Sequence, residues 1–288
     1  MYKVINNYRN DKELRDSFNE LAEKTFGLNF EGWYQKGFWG DNYNPYSIVI
    51  DGRVVANVSV NKTDMLIDGE IKHFLQLGTV MTDEAYRGRG LSRKIMEQIE
   101  ADYAGKVDGV YLFANDSVVD FYPKFGFKKA AEYQYSKNVV NTGKCQVEKV
   151  IMDNKEAWNK LVDAMNKSQF HGKLDMVNNG ELIMFYITGF MQESVYYHKD
   201  TDTYVIADIE DGDLFIHNAF SSNITELKSI IELFGQDINH VTLGFAPKDV
   251  ENFQREEYRE EDCTFFIKGE DLNVIEEKKL RIPTLAHA

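Results

Sequence analysis

Two Asp-Gly pairs constrain most of what the first half of this 288-residue chain can fold into. Asp51-Gly52 separates Ile48-Val49-Ile50 from Val54-Val55-Ala56-Asn57-Val58, and Asp68-Gly69 separates Met65-Leu66-Ile67 from EIKHFLQLGTVMT. Asp-Gly tolerates the positive φ angles of a two-residue hairpin turn, and β-forming apolar runs on both sides complete the signal. The pattern predicts three consecutive antiparallel strands.

Upstream, Asn10 or Asp11 is placed to cap a helix whose apolar residues Leu14, Phe18, Leu21 and Phe26 follow a three-to-four spacing. The aromatic, glycine-broken segment EGWYQKGFWGDNYNPYS reads as a loop or short helix over a pocket. After Thr82 the texture changes. Arg87-Gly88-Arg89-Gly90 precedes a helix with Leu91, Ile95, Met96, Ile99 and Tyr103 on one face, and a buried strand follows at Val110-Tyr111-Leu112-Phe113. A short helix is expected from near Asp116, and FGFKKAAEYQYSKNVV supplies closing strands. This order predicts an α+β domain with helices on a mixed sheet.

From about residue 148 the chain repeats this outline, although residue identities hardly match. Asn154 opens a helix with Trp158, Leu161 and Met165. Strands are expected at VYYHK, TYVIADIE and LFIHNAF, with Asp211-Gly212 turning the last two. A helix with Leu227, Ile230, Ile231 and Phe234 precedes the strand HVTLGFAP, but SSNITE stands where a glycine-rich loop would be. Two domains are expected, 1–145 and 146–288, packed together without a Gly/Ser linker.

A nucleic-acid binder needs a positive footprint for phosphates, so the net charge of −14 argues against that role, a local basic patch aside, and favours either cationic small molecules or plain solubility. No apolar run is long enough to span a membrane, and the N-terminus is too charged for a signal peptide. Cys145 and Cys263 lack a CxxC context, so two buried thiols in a cytoplasmic protein are expected. The six histidines show no ligand spacing, so no metal is expected.

The segment Gly78 to Ser92, GTVMTDEAYRGRGLS, ends a strand, passes through a basic glycine turn and opens a helix. That geometry presents free backbone N–H groups at the positive end of a helix dipole, where phosphate binds. Glycine lets the phosphate approach closely, and Arg87 and Arg89 add charge. A diphosphate is the expected ligand; a plain basic turn is the alternative. No Gly-Lys-Ser/Thr follows, which excludes a Walker loop, and the hairpin meander argues against a dinucleotide fold.

Downstream, Asn115-Asp-Ser-Val118-Val-Asp-Phe121-Tyr122-Pro-Lys-Phe-Gly126-Phe127 resembles the closing motif of the GCN5-related N-acetyltransferases (GNAT superfamily). Arg87-x-x-Gly90-x-Ser92 resembles their pyrophosphate signature, R/Q-x-x-G-x-G/A, departing at Ser92. The resemblance covers about residues 1–140 and is closest to the Eis-like branch with tandem acetyltransferase-like domains. It implies a mixed, mostly antiparallel sheet with a splayed central strand flanked by helices, followed by a second, degenerate GNAT-like α+β domain.

It further implies acetyl-CoA as co-substrate. Backbone groups of Val80, Met81 and Thr82 would hold the pantetheine arm. The amides of Arg87, Gly88, Arg89, Gly90, Leu91 and Ser92 would hold the pyrophosphate, and Asn115 would face the cofactor. Tyr122 would act as general acid toward the departing thiolate, since an ordinary phenol with a pKa of about 10 stays protonated at neutral pH. Trp33, Tyr34, Phe38 and Trp39 fall where the family forms a wall of the acceptor pocket, and Gln76 where some relatives carry a glutamate. In the Eis-like branch the terminal carboxylate serves as base, here that of Ala288, with His287 a weaker candidate. Core packing for the aromatics and helix capping for Asn115 stay open. The function implied is acetyl transfer to a primary amine of a cationic small molecule or peptide, in a chain that a homo-oligomer would also suit. The alternative is a non-catalytic acyl-CoA-binding or sensing protein.

Overall fold

The computed structural model describes residues 2–224 and 226–287. Strand β1 (Val4–Ile5), helix α1 (Lys12–Phe26) and helix α2 (Glu31–Gln35) lead into the expected meander of β2 (Tyr43–Ile50), β3 (Arg53–Ile67) and β4 (Glu70–Thr82). Asp51 and Gly52 take φ of 51° and 78°, and Asp68 and Gly69 take 54° and 86°, so both turns have the positive angles that Asp-Gly permits. In α1 the Asp11 side chain accepts from the Leu14 N–H, and Phe18, Leu21 and Ala22 are buried. Phe26, expected on that face, is exposed. Eight residues beyond Phe18 it lies about 80° around the helix from the buried stripe.

Helix α3 (Leu91–Tyr103) buries Leu91, Ile95, Met96 and Ile99 against the sheet, and β5 (Gly109–Ala114) follows parallel to β4. The short helix expected after Asn115 is instead two 3₁₀ turns, Asp116–Val118 and Tyr122–Phe125, the second holding Pro123, which has no N–H for a regular helix.

The remaining elements are β6 (Lys128–Lys129), β7 (Glu132–Asn138), β8 (Glu148–Lys149), α4 (Lys155–Lys167), β9 (Leu174–Val177), α5 (Gly180–Gly189), β10 (Val195–His198), β11 (Thr203–Glu210), β12 (Asp213–Ser221), α6 (Leu227–Glu232), β13 (His240–Leu243), β14 (Gln254–Tyr258), β15 (Thr264–Lys268) and α7 (Asn273–Glu277). One sheet runs β1-β2-β3-β4-β5-β15-β6, with β9 added on β3; the other runs β8-β10-β11-β12-β13-β7-β14. Both are antiparallel except for one parallel pair at the same place, β4 with β5 and β12 with β13. The second sheet therefore repeats the first strand for strand.

The sixth place is exchanged. Strand β15, from the second half, stands between β5 and β6, while β7, from the first half, stands between β13 and β14. The closing strands expected from FGFKKAAEYQYSKNVV thus go to different sheets. The exchange gives the sheets a common core, in which Met65, Phe74 and Tyr111 meet Val205, Leu243, Phe265 and Ile267. Residues 282–286 fill the place where β12 and β13 part. The Thr284 N–H donates to Gly244 O at 2.9 Å, Thr284 Oγ1 lies 3.1 Å from His217 Nδ1, and Leu285 and Ala286 are buried.

Both cysteines are free, but neither is buried as expected: Cys145 is exposed and Cys263 half-buried. Among the described residues no helix is long and apolar enough to cross a membrane.

Candidate active site

The site begins with a fork. Strand β5 pairs with β4 only over Phe74–Leu77; beyond that, Phe113 and Ala114 pair with β15 alone, and β4 continues to Thr82 beside β3. An extra residue in β4 drives the divergence: Asn57 faces Met81 while Ser59 faces Gly78, and Thr79 between them sits at φ 47°. A threonine in this left-handed region is strained. It is fixed by a 2.6 Å hydrogen bond between its hydroxyl and Tyr43 Oη, and by Asn57 Nδ2 donating to Thr79 O at 2.9 Å. Past the bulge, the β4 backbone groups that point away from β3 have no strand opposite them, and an extended ligand can take their hydrogen bonds.

The fork opens into a groove of about 820 Å³. Gly78 to Thr82 form one wall and Phe113 to Asn115 with Phe121 and Tyr122 the other; Phe26, Arg87, Ser92 and Asp262 stand at its edges. Val80, Met81, Thr82, Arg87, Ser92, Asn115 and Tyr122 are therefore brought together, with the Met81 side chain turned into the core.

At the mouth, Gly88 and Gly90 have φ of 75° and 70°. A Cβ at either would meet nothing within 4 Å, so these glycines serve backbone conformation and not packing. Gly90 is the N-cap of α3, with no side-chain hydrogen bond to the cap and no acidic residue in the first turn. The amides that open this helix, from Leu91 on, are left for an anion. Ser92 Oγ lies 2.9 Å from Thr82 Oγ1 and ties the helix start to the strand end. The two arginines differ. Arg89 is held by the loop, donating to Ala85 O at 2.9 Å with its guanidinium over the Tyr86 ring, whereas exposed Arg87 makes only a 3.4 Å contact to Thr82 O and a 3.8 Å approach to Glu84.

Tyr122 is 3% exposed, its ring held by Phe121, Phe127 and Phe266 at centroid distances of 5.3, 6.1 and 5.7 Å. Its hydroxyl has no hydrogen-bond partner among the described residues, and burial pushes the phenol up to about 12. Asn115 lines the groove without capping a helix: its Nδ2 donates to Asp262 Oδ2 at 2.8 Å, and Asp262 Oδ1 accepts the Asp116 N–H at 2.6 Å. Those two bonds hold the Asp262 carboxyl below the usual range.

The expected acceptor wall is not in the groove. Trp33 and Trp39, 4% and 3% exposed, stack at 5.7 Å in a cluster with Phe18, Phe30, Tyr43 and Phe185. Their indole N–H groups donate to Glu181 O and Tyr43 O. Tyr34 lies under the Arg15 guanidinium at 3.7 Å, and Phe38 packs edge-on against Trp158 of α4. These aromatics join α2 to α4 and α5, which is core packing. Gln76 is fully buried between Asn61 and Tyr111 on the neighbouring strands. Ala288 lies outside the described residues. His287 stacks on Phe113 at 3.9 Å, and burial, then the charge of Arg281, pushes its imidazole down to about 3, which makes it a feeble base. Among the described residues no cluster of three or more His, Cys, Asp or Glu is disposed to hold a metal.

Sequence reasoning missed Thr79, Asp262, Phe26 and Phe113 as parts of the site. Nothing marks a threonine for positive φ, and Asp262 arrives 147 residues after Asn115 through the exchanged strand.

The acetyltransferase (GNAT) domain family matches residues 9–130. No curated protein matches the sequence. Several solved structures share the fold across nearly the whole chain. A probable N-acyltransferase of unknown function from Enterococcus faecalis is 18% identical with a TM-score of 0.63, covering 93% of this chain and 72% of its own. Eis1 from Mycobacterium abscessus is 11% identical with a TM-score of 0.56, over 92% and 73%. A GCN5-related N-acetyltransferase from Kribbella flavida is 15% identical with a TM-score of 0.53, over 93% and 71%. The matched residues, 9–130, supply the fork, the uncapped helix start and Tyr122, so these parts of the site lie within the segment that matches the acetyltransferase (GNAT) domain family.

Proposed function

We propose that the chain moves an acetyl group from acetyl-CoA to a primary amine of a small molecule or peptide. One observation carries this reading: the bulged strand, the uncapped start of α3 and a phenol whose hydroxyl has no partner among the described residues all border one groove. Bound acetyl-CoA would supply an activated thioester. The β4 edge from Gly78 to Thr82 accepts and donates along the pantetheine arm, the amides from Gly88 to Ser92 hold the diphosphate, and Arg87, whose own N–H is taken by Glu84 O at 3.3 Å, adds side-chain charge at the mouth. A β4 N–H in the fork is suited to the thioester oxygen as charge builds there.

The ammonium group gives one proton to solvent, its nitrogen bonds to the acyl carbon and gives up a second proton to solvent, and the carbon–sulfur bond breaks to release the CoA thiolate. In this reading Tyr122 serves the sulfur, since its side chain lines the same groove. A phenol near 12 yields its proton to a thiolate near 8.5 only uphill, by about 5 kcal/mol. Tyr122 therefore stabilises the leaving sulfur as a hydrogen-bond donor, and the thiolate leaves largely unprotonated.

The second unit, 146–288 in chain order, is read as a degenerate copy. It repeats the strand order, but residues 282–286 occupy its fork, so no pantetheine fits there. A purely acyl-CoA-sensing role is disfavoured by the free hydroxyl at Tyr122. The test is CoA release with acetyl-CoA across a panel of primary amines, with Arg87→Glu as control. Amine-dependent release that this variant depresses supports the reading; tight acetyl-CoA binding with no release for any amine points to a sensor.

A further inference from the structure

Behind Phe113 lies a second cavity, of about 520 Å³, bordered by the starts of β7 and β15 and by the end of β14. Phe113 lines both spaces, and the turn after β5 divides between them, Asn115 on the groove and Asp116 on the cavity. Five carboxylates border the cavity against two cations, and one of the cations, Arg259, is already bound to Glu257 at 2.7 Å.

Carboxylates on a surface make no site, but Glu132 differs from the others. It is 4% exposed and lines the cavity; one oxygen accepts the Ile282 N–H at 2.7 Å, and the other has no partner among the described residues. Arg281 lies close enough to be felt, yet it forms no ion pair with Glu132 and sets its guanidinium over the Tyr258 ring at 3.7 Å. Arg281 offsets part of the cost of that buried charge from a distance, and the second Glu132 oxygen is left open to a ligand cation.

Position decides which part of a ligand this is. Ala130 bonds to Phe265, and Phe265 faces Phe113, so two strand spacings, roughly 10 Å, separate Phe113 from the segment that carries Glu132. A cation held at Glu132 cannot be the nitrogen that attacks a thioester in the groove. We propose that this cavity seats the acceptor of the proposed acetyl transfer, that the acceptor is a flexible amine with at least two cationic nitrogens about 10 Å apart, and that Glu132 holds the nitrogen that does not react. The inference rests on the proposed function, and its test separates the two.

The probe is spermidine, with hexylamine as the single-cation control, titrated calorimetrically into the full chain; CoA is titrated separately. Spermidine is expected to bind about ten-fold or more tighter than hexylamine, and Glu132→Gln, which keeps the acceptor for Ile282, to abolish that advantage while CoA binding stays unchanged. Loss of CoA binding in the wild type would count against the transferase reading alone. Equal affinities for the two amines, or a folded Glu132→Gln chain that binds spermidine like wild type, overturn this inference. Should the variant not fold, the wild type decides. Burial pushes the Glu132 carboxyl up to about 7, against the pull of Arg281 and with the push of Glu260, while burial lifts the neighbouring Cys263 thiol to about 12 and raises the Tyr258 phenol, away from the range between pH 6 and 8. Spermidine affinity must then fall from pH 8 to pH 6, and a flat profile refutes the assignment.

Discussion

Replacing Tyr122 by phenylalanine removes one oxygen and nothing else, and the geometry around that oxygen sets the size of the effect. The hydroxyl bonds to no described residue, while the ring keeps its contacts with Phe121, Phe127 and Phe266. Stability should hardly change, and the melting temperature should stay within about a degree. If the hydroxyl donates to the leaving sulfur in a site shielded from water, the lost bond to a charged acceptor is worth about 1.5–3 kcal/mol, or roughly 10- to 150-fold in kcat. CoA affinity should move less than about two-fold, because diphosphate and pantetheine are held elsewhere. A phenol near 12 also means that no alkaline limb below pH 10 belongs to this residue. Steady-state CoA release with and without the variant, together with a thermal melt, tests each of these points. Unchanged kcat would refute the donor role, and a melting point several degrees lower would show that the hydroxyl is structural.

Arg87→Glu should weaken CoA binding about ten-fold at low salt, less at high salt, without affecting folding, since the side chain is exposed and only weakly held; calorimetry at two ionic strengths measures it. A chain cut after residue 145 should not fold to a working domain, because β5 loses β15 and β7 loses β13; a purified 1–145 fragment with a cooperative melt and CoA affinity would refute this. Glu132 should make stability fall with rising pH. Its folded value, about 7, lies above the unfolded value near 4.3, so its contribution is complete below pH 4 and is lost as pH rises through 7, by about 4 kcal/mol. Urea titrations at pH 5 and pH 8 should show that slope in wild type and lose it in Glu132→Gln.

Local chemistry was readable and long-range placement was not. The Asp-Gly turns, the Asp11 and Asn154 caps and the glycine loop before α3 act within a few residues, and each forms as the sequence implies. Tyr122 and the β4 edge reached the same groove because one helix and one strand connect them. The aromatics at Trp33 and Trp39 misled, since a bulky apolar ring has the same signature in a pocket wall and in a core, and only the arrival of Phe185 distinguishes the two. Alternation along β7 records that it is a strand without saying whose, so the exchange with β15 left no local trace. Asp262 in the groove and Glu132 in the cavity behind it depend on that exchange and were hidden with it.

The exchange also sets a timetable for synthesis. As the chain leaves the ribosome, β5 and β6 emerge with the slot between them vacant, and more than 120 residues must be added before β15 fills it. Until then a strand edge stands open, inviting mispairing and making chaperone contact advantageous. The matched segment 9–130 is complete early, but Asp262, which holds Asn115, and Phe266, which packs on Tyr122, arrive only with the last strand, so a prematurely terminated product carries every signature residue without the supports that set the far wall.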